Sequence, residues 1–183
     1  MGFVAAEILL LLACVSALIA LGVGSLESRM GITRDGIGIG KRAPMWQARD
    51  LAGQVRRGPH GSSWQVLVFA DQELAVFQDL RAGLNRIHSS DSDIEVLLLS
   101  PRSKEICDVI ADSLAISVPM IPAAEDLYGR FRVRVKPFVH VIDPHGVVRA
   151  KGVANYEVTL RAFVGWARSQ GSASSSLSMA FPS

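Results

Sequence analysis

From Phe3 to Val23 the chain runs for 21 residues in which only Glu7, Ser16 and Gly22 interrupt an otherwise apolar sequence. At about 1.5 Å per residue, a helix of that length spans about 31 Å, the thickness of a bilayer's hydrocarbon core. No polar face recurs at the 3.6-residue period expected of a helix lying on a soluble core. A cleaved secretory signal opens with basic residues and closes on a small-residue site. Here "MGFVAAE" carries no Lys or Arg, and "LIALGVGSLES" offers only a poor site near Gly22 and Gly24. Residues 1–26 therefore read as an uncleaved single-pass anchor, with Glu7 near the end where its carboxylate reaches the interface. With the anchor set aside, roughly 44% of the remainder is apolar, ordinary for a soluble domain.

The length of 183 residues suits one domain plus appendages. A net charge of +2 is too small to grip nucleic acid without a concentrated patch. Two cysteines, Cys14 and Cys107, exclude a disulfide scaffold and a multi-cysteine zinc site. Arg29, Arg34, Lys41 and Arg42 follow the anchor and no basic side chain precedes it. Alone, that bias puts the domain in the cytoplasm, but a long trailing domain dilutes the rule.

Residues 27–43, rich in Gly and charge, read as a juxtamembrane linker, and 44–168 as the domain. "MWQARDLAG" reads as a short amphipathic strand ending at Gly53, and "RRGPHGSS" as a loop. "WQVLVFA" and "IEVLLLS" are continuous apolar runs of the kind that form strands buried on both faces. Between them, Asp71 can cap a helix whose apolar positions Leu74, Phe77, Leu80, Leu84 and Ile87 recur at steps of three and four. A second helix follows with Ser100 as cap and Pro101 at its first position. Then come a brief strand at Met120–Ile121, a helical turn from Glu125, a hairpin around "DPHG" and a closing helix in "NYEVTLRAFVGWARS". The Ser-rich residues 169–183 read as a disordered tail. Parallel strands joined by helices and closed by an antiparallel hairpin predict a three-layer α/β domain.

"GKRAPMWQARDLAGQ" and "YGRFRVRVKPFVHVIDPHGVV", with the order of elements, resemble the membrane-anchored, TlpA-like branch of thioredoxin-like proteins. "LESRMG" after the anchor and the closing "VVRAKGVANYEVTLRAF" are similar to methylamine-utilisation accessory proteins of the MauD type. The resemblance covers about residues 1–168 and implies a thioredoxin-like fold, an extracytoplasmic domain and a role in maturing a partner protein, methylamine dehydrogenase in that family. In that family the helix after the first buried strand begins with Cys-x-x-Cys, at positions matching Leu74 and Phe77. This sequence reads "FADQELAVFQDL" there, so the dithiol chemistry that the resemblance implies is missing. A helix N-terminus lowers a thiol's pKa and a second cysteine resolves the mixed disulfide; Leu and Phe do neither.

Pro137 matches the proline that is cis in thioredoxin folds, where the preceding residue, here Lys136, offers backbone groups to an extended partner chain. Otherwise Pro137 simply shapes its loop. Just before it, "RFRVRVK" alternates, so Arg130, Arg132, Arg134 and Lys136 share one face if extended. Such a row docks an acidic partner or anionic lipid headgroups, or is a solvated face. An exposed Leu74/Phe77 pair favours contact with protein. Cys107, beside Ile106 and Ile110, reads as buried and inert, and Cys14 as membrane packing or an acylation site. His140, in the apolar "FVHVI", reads as a hydrogen-bonded core histidine. His60, His88 and His145 form no i, i+4 pair with it or with each other. "GIGIGK" lacks P-loop spacing and a preceding strand, so no cofactor and no metal is implied. The function expected is that of a redox-inactive, membrane-tethered accessory protein. The alternatives are a lone-cysteine oxidoreductase or peroxidase, and a structural subunit of a membrane complex.

Overall fold

The computed structural model describes residues 35–71 and 77–179, the last nine as backbone only. The apolar run and Leu74 lie outside the described residues. Among these, no helix is long and apolar enough to cross a membrane.

A two-stranded hairpin, β1 (Trp46–Arg49) and β2 (Val55–Gly58), precedes a five-stranded sheet. The chain turns earlier than the sequence reading expected, and "VRRG" is a strand rather than loop. The reason is local: Asp50 Oδ1 accepts the Gln54 amide at 2.8 Å, and Gly53 supplies a positive φ of 78°.

The sheet contains β3 (Trp64–Phe69), β4 (Ile94–Leu99), β5 (Met120–Ile121), β6 (Phe138–Ile142) and β7 (Val148–Val153), in the order β5-β4-β3-β6-β7. β3, β4 and β5 are parallel, while β6 and β7 run antiparallel to their neighbours. Both predicted apolar runs are interior strands buried on both faces. Alternation sorts their side chains. Leu67, Phe69, Leu97, Leu99 and Phe138 join a core cluster with Trp46, Tyr128 and Phe131. Val66, Val68, Val96, Leu98 and Val139 are the alternates on the opposite face.

Four helices complete the domain: α1 (Phe77–Ser90), α2 (Lys104–Ser113), α3 (Glu125–Arg130) and α4 (Glu157–Met179). α1 packs on α4 and β4, and α4 also packs on β6 and β7. The two helices meet at Gly83, where a Cβ would come within 2.8 Å of Glu157 Cγ. α2 starts later than expected, with Ser103 at its N-cap. Ser100 instead continues the strand edge, its amide donating to Ile121 O at 2.9 Å.

Two boundaries differ from expectation. α4 runs on to Met179 rather than ending in a disordered tail. Its inner positions Leu160, Phe163, Val164 and Ala167 anchor the helix, and no proline follows until Pro182. The second half of the presumed linker is bonded into the domain. Gly36 donates to Arg132 O at 2.8 Å, Gly40 to Val148 O at 2.8 Å and Ala43 to Gly146 O at 2.8 Å.

Candidate functional site

The loops at the C-terminal ends of the parallel strands meet at one edge of the sheet, where open α/β sheets place ligands. β3 ends at Phe69, and Ala70 donates to Leu99 O at 3.1 Å before the chain leaves the sheet at Asp71. From the loop after β4, Arg102 reaches back to Asp71, with Nε and Nη2 each 3.2 Å from Oδ1. From the loop before β6, Lys136 Nζ lies 3.6 Å from Asp71 Oδ2 and 5.5 Å from the centroid of the Tyr128 ring. One carboxylate is therefore held between two cations, all three partly exposed.

Tyr128, on α3, supports the cluster from below. Its hydroxyl lies within donating distance of Leu99 O (2.9 Å) and Ala70 O (3.2 Å), tying α3 to the ends of β3 and β4. Burial, followed by the negative charges of Asp71 and Glu125, pushes that hydroxyl well above the usual tyrosine range, so it stays a donor. Tyr128→Phe removes the donor and leaves buried carbonyls short of a partner. The expected cost is about 1–2 kcal/mol, read as a lower urea midpoint at unchanged m-value. An unshifted midpoint would mean that the hydroxyl does not brace this edge.

The Lys136–Pro137 peptide is cis and Pro137 is buried, its carbonyl accepting from Ala154 N at 3.3 Å. The cis proline is thus found where the resemblance implied it. The basic stripe is not formed. Arg130 ends α3, Phe131 caps the helix in the core, and Arg132 is left-handed at φ 57°. No extended strand runs through 130–136. The four bases separate into three environments. Arg130 donates to Met45 O and lies 3.6 Å from Asp126, and Lys136 belongs to the Asp71 cluster. Arg132 and Arg134 instead line a separate cavity of about 540 Å³.

Phe77 requires a second correction. It is 1% exposed, the first buried position on the inner face of α1, and so forms no contact surface. Leu74, its proposed companion, is outside the described residues.

Cys107 is fully buried on α2, its thiol donating to Arg102 O at 3.6 Å. Burial pushes the thiol above its ordinary value, the opposite of what a nucleophilic thiolate needs. His140 is a core histidine, as expected, with Nε2 accepting from the Ile37 amide at 3.0 Å. Among the described residues no group of three His, Cys, Asp or Glu is placed to hold a metal ion.

Asp71 was visible in the sequence only as a helix cap, and Arg102 and Tyr128 not at all. Their partners lie 31 and 58 residues away, beyond any local pattern.

No family model matches the chain, and no curated protein matches it. Solved structures do. The thioredoxin domain of a thiol-disulfide oxidoreductase from Bacteroides vulgatus superposes with a TM-score of 0.60 at 16% identity, covering 70% of this chain and 99% of that one. The peroxidoxin BcpB from Mycobacterium tuberculosis gives 0.62 at 15% identity, covering 72% and 96%. A peroxiredoxin-like protein from Aquifex aeolicus gives 0.57 at 16%, covering 67% and 79%. At these identities the likeness is one of fold: the domain is a thioredoxin-like α/β structure with a mixed sheet.

Proposed function

We propose that this chain is a membrane-tethered, thioredoxin-like binding module, its domain outside the cytoplasm, that holds or helps mature a protein partner without passing electrons to it. The observation that carries this reading is the Asp71 cluster. At the end of β3, where the resembled family presents a dithiol, this chain presents a carboxylate between Arg102 and Lys136, and its sequence contains no Cys-x-x-Cys. The Lys136–Pro137 ledge beside that cluster suits an extended segment of a partner carrying acidic side chains. Maturation of a methylamine dehydrogenase-type subunit is the specific role that the family resemblance suggests.

A second reading draws on the solved neighbours, whose names describe thiol-disulfide oxidoreductases and peroxiredoxin-like proteins. It would make Cys107 the reactive group, against the burial and raised pKa of that thiol.

Insulin reduction by the full chain in detergent, driven by dithiothreitol, separates the two. The binding-module reading expects a rate equal to the uncatalysed background, unchanged by Cys107→Ser. Turnover above background that disappears in Cys107→Ser would replace it with the enzyme reading.

A further inference from the structure

We propose that the cavity between the end of α3 and the loop leading to Pro137 is a binding site for a small ligand, gripped through a phosphoryl group. The cavity, about 540 Å³, is lined by Asp35, Tyr128, Gly129, Arg132, Val133 and Arg134, a size suited to a small molecule. It is distinct from the partner ledge. Tyr128 lies between the two, facing Lys136 with its ring while also lining the cavity.

The argument rests on unsatisfied charge. Neither the Arg132 nor the Arg134 guanidinium has a hydrogen bond or ion pair among the described residues, whereas the side chains of the neighbouring bases Arg130 and Lys136 both do. Asp35 is the one acidic lining residue, and its negative charge acts on the buried Lys151 ammonium, which donates to Asp35 O at 2.7 Å. Arg132 and Arg134 thus line one cavity together, and among the described residues neither is ion-paired with Asp35 or with any other carboxylate.

Their backbone is held in place. Arg132 N donates to Gly129 O at 3.1 Å, Val133 N to Tyr128 O at 2.9 Å, and Arg132 O accepts from Gly36 at 2.8 Å. Val133 is buried between the two arginines, so both emerge from one fixed turn. Arg132 also occupies the left-handed position after a helix where glycine is usual. Planar guanidinium forks match tetrahedral oxyanions, and a phosphoryl group has enough oxygens to accept from both.

The test is titration of inorganic phosphate into the full chain in maltoside micelles, at ionic strength held constant with chloride, followed by calorimetry and ³¹P line width. Saturable binding is expected, weakened roughly tenfold by Arg132→Gln or Arg134→Gln and lost in the double variant. Arg132→Lys, which keeps the charge but not the fork, should fall between wild type and Arg132→Gln. Arg161→Gln, on α4, serves as the surface-charge control and should bind as wild type does. Both lining arginines are exposed, so the variants should melt as wild type does in chloride. Absence of saturable binding, or binding that the double variant retains, overturns the proposal. Repeating the titration in nanodiscs containing phosphatidylglycerol identifies the source. Competition supports a lipid headgroup as the ligand, and undiminished binding supports a soluble phosphate ester.

Discussion

Phe77→Asp is expected to yield no folded domain. Phe77 is 1% exposed and begins the buried face of α1, which continues through Leu80, Leu84 and Ile87 against β4 and α4. Removing a buried phenylalanine ring costs about 3–5 kcal/mol in lost burial and cavity. A carboxylate in its place adds several kcal/mol more, because burial strips it of its hydrating water. The total rivals the roughly 5–15 kcal/mol by which a domain is stable. Far-UV circular dichroism and sedimentation should show an unfolded or aggregated chain, while Phe77→Leu should fold with a loss of about 1–1.5 kcal/mol. A Phe77→Asp protein melting near the wild-type temperature would place the ring at the surface and restore it as a contact residue.

Acid is expected to destabilise the domain through His140. The imidazole is fully buried in β6 among Phe69, Phe131 and Phe138, with ring centroids 5.7, 5.4 and 5.1 Å away. Its Nε2 accepts the Ile37 amide, which assigns the proton to Nδ1, an atom with no hydrogen-bond partner. Burial first, and the Lys151 charge second, push its pKa down to about 3. Unfolded, it titrates near 6.5. Between those values the unfolded chain binds a proton that the folded chain refuses, so stability rises with pH. The contribution is complete above about pH 6.5 and is lost progressively as pH falls toward about 3. From pH 6.5 to 5, where most carboxylates stay ionised, the loss is about 1.6 kcal/mol. Urea midpoints across that range should fall steeply for wild type and little for His140→Gln, which keeps an acceptor for Ile37. Parallel profiles would show that another group governs the acid response.

What was legible in the sequence is what depends on neighbours along the chain. The runs "WQVLVFA" and "IEVLLLS" became the two interior strands because uninterrupted apolar sequence of that length must be covered on both faces. The short Met120–Ile121 strand, the hairpin and the cis Pro137 were found where expected. The failures share a cause. Alternation in "RFRVRVK" is real as burial, with Phe131 and Val133 inside and the arginines outside. It arises from a helix end and a left-handed turn rather than a strand. Serine content at 169–183 suggested disorder, yet a helix already anchored by Leu160 and Phe163 extends as far as Met179. The Asp71 cluster draws on three loops far apart in sequence, and only the completed sheet brings them together.

The strand order has a consequence for how the domain assembles. β3, β4 and β5 are joined through neighbouring helices, and β6 with β7 is a local hairpin, so the strand pairings within each half span at most about thirty residues. The halves join along a single ladder, β3 to β6, which pairs Gln65 with Ile142 and Phe69 with Phe138, about seventy residues apart. Closing a loop of that size costs entropy before any pairing offsets it, and non-local pairing of this kind slows folding. The β3–β6 seam is thus expected to close late and to set the rate of assembly. The Asp71–Lys136 contact, which bridges the same two halves beyond the end of that seam, forms only once the seam has closed.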